Sequence, residues 1–239
     1  MQKVTTVGKL YLIPTTLGDT PPLEVLPVSV KKVVENINEF IVENDKSARR
    51  FIKQITPEKS QPELILHLLN KYTEQAELPT FLNSCIEGKS IGLLSEAGVP
   101  GIADPGADVV KIAHESGIQV IPLVGPSSII MAMMSSGMNG QNFAFNGYLP
   151  IDQKERRNEI KRLERISEDY NQSQIFIETP YRNNKMIEEL CNTLNPHTSV
   201  CVACDISLPS EYILTKTAGQ WKGKLPDLHK RPAIFIIQK

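Results

Sequence analysis

Cysteine is scarce in this chain: Cys85, Cys191, Cys201 and Cys204 are the only four in 239 residues, too few and too scattered for a disulfide framework. They are expected to be reduced. Cys201 and Cys204 form a lone C-x-x-C, but it lies in an apolar stretch, 199–204, that reads as a buried strand, and no second pair completes a zinc site. The histidines His67, His114, His197 and His229 are dispersed without metal-ligand spacing, so no metal is expected. No apolar run is long enough to span a bilayer, and Met1 to Lys9 lacks the basic-then-apolar layout of a signal peptide. The expectation is a cytoplasmic protein. Excess charge is missing too: a net charge of −1 excludes a protein that holds nucleic acid by a broad electrostatic blanket, so any RNA contact must be a local patch. Phosphate-binding signatures are equally absent. No G-x-G-x-x-G follows a strand, and Gly88-Lys-Ser90 is no P-loop because Asn83 stands where the first glycine belongs.

What is present is an alternation of short apolar segments with longer helix-like ones, the pattern of α/β layers around a mainly parallel sheet. Hydrophobic residues make up 41% of the chain, enough for one large core or two modest ones. Strands are predicted at Lys9 to Pro14, Phe40 to Glu43, Ser90 to Ser95 and Gln119 to Val124, with helices near Lys46 to Ile55, Glu63 to Thr73 and Ala107 to Glu115. Gly125-Pro-Ser-Ser128 then precedes an apolar run, Ile129 to Met134, that ends near Gly137. The Gly-Pro punctuation marks a domain junction, giving an N-terminal α/β domain over 1–125 and a C-terminal one over 126–239. The second domain reads as a charged helix (Asp152 to Asp169), a strand (Gln174 to Glu178), a helix (Tyr181 to Leu194) and strands at Thr198 to Cys204, Tyr212 to Thr217 and Ala233 to Ile237. Closely spaced terminal strands predict an antiparallel element in the second sheet.

Three loops carry the chemistry. Ser95-Glu-Ala-Gly-Val-Pro-Gly-Ile-Ala-Asp-Pro-Gly106 runs directly off a strand into a helix, and its small residues and prolines let backbone approach a ligand while holding the loop's shape. Asp104 is placed to cap the following helix, with Pro105 in its first turn. Pro14-Thr-Thr-Leu-Gly-Asp19 and Gly125-Pro-Ser-Ser128 share this style, and loops outside the carboxyl ends of parallel strands can converge on one crevice. Taken alone, the loop from Ser95 to Gly106 is also readable as an ordinary strand-to-helix connector. On the charged helix, Lys154, Arg157, Lys161 and Arg165 form a basic stripe, a candidate RNA contact or simply a solvated face. Met131, Met133, Met134 and Met138 read as packing residues.

In order and spacing, Leu10-Tyr-Leu-Ile-Pro14, Ser95 to Gly106, Gly125-Pro-Ser127, Gly147-Tyr-Leu-Pro150 and Glu178-Thr-Pro-Tyr-Arg182 resemble the successive blocks of the tetrapyrrole (corrin/porphyrin) methylase superfamily. Within it they look most like the branch that methylates a ribose 2′-hydroxyl in small-subunit ribosomal RNA. The resemblance implies two α/β domains, a parallel-rich N-terminal sheet and a mixed C-terminal one, with S-adenosylmethionine in the inter-domain cleft, and usually a homodimer. By position it implies Leu17 from the first loop, Gly98, Val99 and Ile102 from the long loop, and Ser127 and Ser128 as cofactor contacts, with Ile177, Ala203 and Ala233 of the second domain around the adenine. Departures fall on the acceptor side: Val42-Glu-Asn-Asp-Lys46 where the branch usually reads Ala-Glu-Asp-Thr-Arg, Thr179-Pro-Tyr-Arg182 for Ser-Pro-His-Arg, and Cys204-Asp-Ile-Ser-Leu208 for Arg-Glu-Leu-Thr-Lys.

Methyl transfer from a sulfonium is an in-line displacement that alignment alone can largely drive, with a base contributing about 10²- to 10⁴-fold. Glu43, Asp45, Glu96 and Glu178 stand at or beyond strand ends where a base is useful, or they are capping and surface carboxylates. Arg182 and Arg49 are placed to orient a carboxylate or bind a phosphate. A tetrapyrrole or other small-molecule acceptor, and a cofactor-binding module without catalysis, remain open beside the RNA reading.

Overall fold

The computed structural model describes residues 7–239, so Met1 to Thr6 of the leader reading lie outside the described residues. By contact pattern the chain divides into two units meeting in sequence at Ser127 and Ser128.

The first unit holds β1 (Lys9–Ile13), α1 (Pro22–Val25), α2 (Val28–Asn36), β2 (Glu39–Val42), α3 (Asp45–Ile55) and β3 (Ile65–Leu68). A 3₁₀ turn (Leu78–Leu82), α4 (Asn83–Ile86), β4 (Ile91–Leu94), α5 (Ala107–Glu115) and β5 (Gln119–Pro122) follow. The five strands form one sheet in the order β3-β2-β4-β1-β5, every pairing parallel. Parallel sheets need both faces covered. Ile13, Phe40, Val42 and Leu94 pack with Val30, Val34 and Ile52 of α2 and α3 on one side. Leu10, Ile41, Ile91 and Leu93 pack with Val109 and Ala113 of α5 on the other. Being parallel, all five strands discharge their following loops at the same edge. Asn44 fixes the start of α3, its side chain accepting from Lys46 N–H at 2.9 Å and Ser47 N–H at 3.2 Å.

Residues 63–73, expected to be helical, instead contain the edge strand β3. Leu64 and Leu69 are buried while Ile65 and Leu68 are about half exposed, and Ile65 N–H donates to Asn38 O at 2.9 Å. Crowded leucines fit either period; pairing with β2 decided for the strand.

The second unit holds α6 (Ser128–Ser135), β6 (Phe143–Tyr148), α7 (Gln153–Tyr170), β7 (Ser173–Ile177), α8 (Asn183–Thr193), β8 (Ser199–Cys204), β9 (Tyr212–Thr217), α9 (Ala218–Trp221) and β10 (Ala233–Gln238). Its sheet runs β6-β7-β10-β8-β9, parallel between β6 and β7 and antiparallel elsewhere, the mixed sheet the sequence pattern predicts. One face packs on α7, α8 and α9 through Phe176, Phe235, Val202, Ile160, Leu163, Ile187 and Trp221. Trp221 is fully buried and its Nε1–H is satisfied by Val200 O at 2.9 Å. Helix α7 has Asp152 as its N-cap and ends at Asn171, whose φ of 47° is the left-handed stop. It buries Arg156, Ile160, Leu163 and Ser167, a single stripe at helical spacing.

The four cysteines are free and buried. In β8 the three-residue offset puts Cys204 toward the helices while Cys201 points to the other face, so the two thiols cannot share a ligand. Burial pushes Cys85, Cys191 and Cys204 up to about 11, so these thiols stay protonated. No helix among the described residues is long and apolar enough to cross a membrane.

Candidate functional site

At the carboxyl edge of the first sheet the three glycine- and proline-shaped loops meet. Thr15 N–H, from the loop after β1, donates to Gly98 O at 2.9 Å, and Ser95 Oγ donates to the same carbonyl at 2.5 Å. Thr15 Oγ1 and Ser95 Oγ lie 3.3 Å apart. Gly98 has φ +77°, and a Cβ there would sit 3.1 Å from Leu17 Cδ2 and 3.2 Å from Pro126 O. Segments after β1, β4 and β5 thus pack around one main-chain position that only glycine fits without strain. The loop after β5 approaches as closely elsewhere: a Cβ on Gly125 would lie 2.2 Å from Pro14 Cγ. Between Gly98 and Gly106 the backbone is left-handed repeatedly, including the non-glycine Ala103 at φ 58°. Such strain concentrates where a surrounding structure enforces it, commonly at ligand sites. Beside these loops lies a cavity of about 210 Å³ lined by Thr15, Leu17, Ser47, Arg50, Ser95 and Glu96 among others.

Carboxylates gather at the same edge. Glu43 leaves β2 and Glu96 leaves β4, where Ser47 Oγ donates to Glu96 Oε1 at 2.6 Å. Desolvation, then the charge of Glu96, raises the Glu43 pKa above its ordinary value. Asp104 is pushed up to about 6, chiefly by burial and next by Glu43, and its Oδ2 has no hydrogen-bond partner. It does not cap α5 as expected: Gly106, at φ +131°, is the N-cap, with no side-chain hydrogen bond, and turns the chain between Pro105 and the helix. Asp104 therefore joins the carboxylate cluster. The signal was the Asp-Pro-Gly run, whose glycine separates the acid from the helix start. Asp45 is differently placed, at the first residue of α3 and paired with Arg49, one turn on, at 2.9 Å. Arg49 also donates to Gln61 O at 2.6 Å, and Arg50 pairs with Asp19.

In the second unit, Ile234 of β10 stands in register with both Ile177 and Ala203, and Ala233 with Cys204. Ile177, Ala203 and Ala233 are thereby brought to one end of the sheet. Ile177 and Ala203 share the face away from the helix-side core, while Ala233 belongs to that core. Glu178, buried, accepts from Thr179 N–H and from Arg182 Nη2, both at 2.6 Å. Arg182 keeps a buried Nε without a partner. These two candidate residues are committed first to each other. Val99 and Ser127 are half-buried, Ser128 opens α6, and Ile102 is 54% exposed on the long loop. Lys154, Arg157, Lys161 and Arg165 are exposed along α7, with Arg157 bonded to Glu189 and Arg165 to Asp169. Arg156, absent from that stripe, is buried against Glu189.

The family model described as Tetrapyrrole (Corrin/Porphyrin) Methylases matches residues 9–221. The chain is 29% identical over 240 residues to a "Ribosomal RNA small subunit methyltransferase I" of Buchnera aphidicola, covering 99% of this chain and 80% of that protein. It is 27% identical over 234 residues to the protein of the same name in Escherichia coli O157:H7, covering 97% and 78%. Among solved structures, the methyltransferase CobJ superposes with a TM-score of 0.64 at 14% identity, covering 97% of this chain and 94% of that one. A uroporphyrin-III C-methyltransferase from Thermus thermophilus, complexed with S-adenosylhomocysteine, gives 0.55 at 14% identity, covering 97% and 98%. At these identities the structural likeness is one of fold.

Proposed function

This chain belongs to the tetrapyrrole (corrin/porphyrin) methylases, and from that premise we propose that it methylates a ribose 2′-hydroxyl of small-subunit ribosomal RNA with S-adenosylmethionine as donor. The observation that carries the proposal is the convergence of three loops on Gly98. It makes a main-chain cradle at the carboxyl edge of a parallel sheet, where ligands of open α/β folds sit. The residues fit the donor's chemistry. Glu43, Glu96 and Asp104 lie at this edge, and negative charge favours a sulfonium cation where a phosphate would be repelled. When bound, the cofactor supplies an electrophilic methyl carbon on that sulfonium.

Leu17, Gly98, Val99, Ile102, Ser127, Ser128, Ile177, Ala203 and Ala233 are the residues proposed to hold the donor. The Glu178–Arg182 pair, its carboxylate buried, orients the segment after β7. Asp104, Glu43 and Glu96 are the carboxylates placed to take the proton of the attacking hydroxyl. Asp104, with its pKa about 6, is still mostly ionised at neutral pH yet more basic than an ordinary carboxylate. Displacement at a sulfonium needs no metal. The relatives' printed names favour RNA as the acceptor over a tetrapyrrole, and like the branch it resembles the chain acts as a homodimer in the cytoplasm.

Calorimetry with S-adenosylmethionine and transfer of a tritiated methyl group to undermethylated small ribosomal subunits test the reading. Wild type should bind the cofactor and label the RNA in its ribose. Glu96→Gln, which removes one of the three negative charges, should bind the cofactor more weakly and, if Glu96 takes the proton, lose about 10²- to 10⁴-fold in kcat. Binding without transfer to the subunit refutes the RNA assignment.

A further inference from the structure

Beyond β7 the chain turns through Thr179-Pro-Tyr-Arg182 beside the loop from Asp227 to Arg231, and hydrogen bonds fasten the two. Lys230 N–H donates to Pro180 O at 3.1 Å, Asn183 Nδ2 to Arg231 O at 2.6 Å, Asn184 Nδ2 to Asp227 Oδ1 at 2.9 Å and Leu228 N–H to Asn184 Oδ1 at 2.6 Å. Arg231 is held in turn by Asp205 at 2.8 Å and by Ser210 O at 2.7 Å. On this brace stands Tyr181, 70% exposed. The His229 ring lies 6.1 Å from it at 75°, and the Lys230 ammonium 6.0 Å from its centroid. Lys230 holds φ 61°, a left-handed conformation that a lysine adopts at a cost and that the surrounding bonds sustain.

A lone exposed aromatic is ordinary. Here an exposed ring, an imidazole and an ammonium are instead presented together by two loops fixed to each other, and fixing such groups beforehand removes ordering cost from binding. The ring borders the end of the sheet that carries Ile177, Ala203 and the Glu178–Arg182 pair. We propose that Tyr181, flanked by His229 and Lys230, is a stacking platform for an unpaired nucleobase of the acceptor RNA. This rests on the RNA reading above and deepens it. A nucleotide joins a flat π-surface to a neighbouring phosphate, and the patch pairs a ring with a cation in the same way; single-stranded RNA is recognised by such stacking. A net charge of −1 requires recognition of this local kind.

The test uses the full chain, its Tyr181→Ala, Tyr181→Phe and Lys230→Ala variants, and a short single-stranded RNA carrying 2-aminopurine, whose fluorescence is quenched on stacking. Tyr181→Ala should weaken binding by about 5- to 150-fold and abolish quenching. Tyr181→Phe should keep both. Lys230→Ala should flatten the salt dependence while leaving quenching intact. Unchanged affinity for S-adenosylmethionine in all three shows that the fold is preserved. Undiminished quenching in Tyr181→Ala overturns the platform, as does a wild type that labels subunits yet never quenches the probe; both leave the methyltransferase reading standing. A wild type that binds the cofactor but transfers nothing to subunits fails that reading and takes the platform with it.

Discussion

Gly98 and Gly101 make a matched pair for testing the loop junction. Both have φ +77°, but a Cβ on Gly98 would lie 3.1 Å from Leu17 Cδ2 and 3.2 Å from Pro126 O, whereas one on Gly101 meets nothing within 4 Å. Either alanine places a side chain in left-handed backbone, at a cost of about 1–2 kcal/mol. Only Gly98→Ala also presses on its neighbours. Leu17 can rotate aside, but the Pro126 carbonyl is main chain and yields only with its loop. Overpacking of this kind adds about 1–3 kcal/mol. Gly101→Ala should therefore lose about 1–2 kcal/mol and Gly98→Ala about 2–5 kcal/mol, in a chain where each kcal/mol lowers the melting midpoint by about 2–4 °C. Because the strain at Gly98 is relieved by spreading the loops proposed to hold the cofactor, its affinity for S-adenosylmethionine should fall about tenfold or more, equivalent to about 1.4 kcal/mol. Gly101→Ala should bind within about threefold of wild type. Thermal melts and calorimetry on both variants decide it. Equal melting points, or a Gly98→Ala protein that binds like wild type, would refute the idea that this junction shapes the site.

Two further perturbations probe charge. The Asp104 pKa is raised by burial from 3.8 to about 6, so the folded chain retains a proton that the unfolded chain has lost. The stability this contributes is complete below the unfolded value and drains away as pH rises through about 6. Asp104→Asn, which cannot ionise beside Glu43 and Glu96, should gain on wild type as pH is raised across that interval in urea melts; a pH-independent difference would count against the assignment. In the second unit, Arg156 and Glu189 are buried to 5% and 4% side-chain exposure, and Glu189 also receives Arg157. Glu189→Ala strands a buried guanidinium and should cost about 3–5 kcal/mol. Arg156→Ala should cost less, since Arg157 still serves Glu189, and the reverse order in denaturant titrations would contradict this account.

Much of the fold is legible along the chain because local rules agree with it. The 107–115 helix and the 212–217 strand have the bounds that punctuation and periodicity predict. Asp152 and Asn171 bracket α7 by chemistry visible in the sequence. Other elements passed unread. Val28–Asn36 is helical with Pro27 at its N-cap, yet Val28, Val30, Val33 and Val34 favour strands by propensity. Phe143–Tyr148 is a strand interrupted by a register shift that obscures its alternation. Of the candidate site, the three loops were readable from glycine, proline and their place after apolar strands. The pairing of Glu178 with Arg182, four residues on, was not: nothing in the spacing says that the turn between them closes into an ion pair with its carboxylate buried.

By itself the sequence determined which segments are strands and helices in most of the chain, where the backbone bends through glycine, and which kinds of ligand its loops fail to suit. These are short-range properties, decided by φ preferences, side-chain period and capping within a few residues. Only the tertiary structure decided that residues 65–68 extend beside β2, that Asp104 meets Glu43 from a loop some sixty residues away, and that Arg156 is buried while Arg157 is not. Strand pairing, desolvation and through-space charge depend on what lies across a gap of a few ångströms, and separation along the chain does not encode that distance.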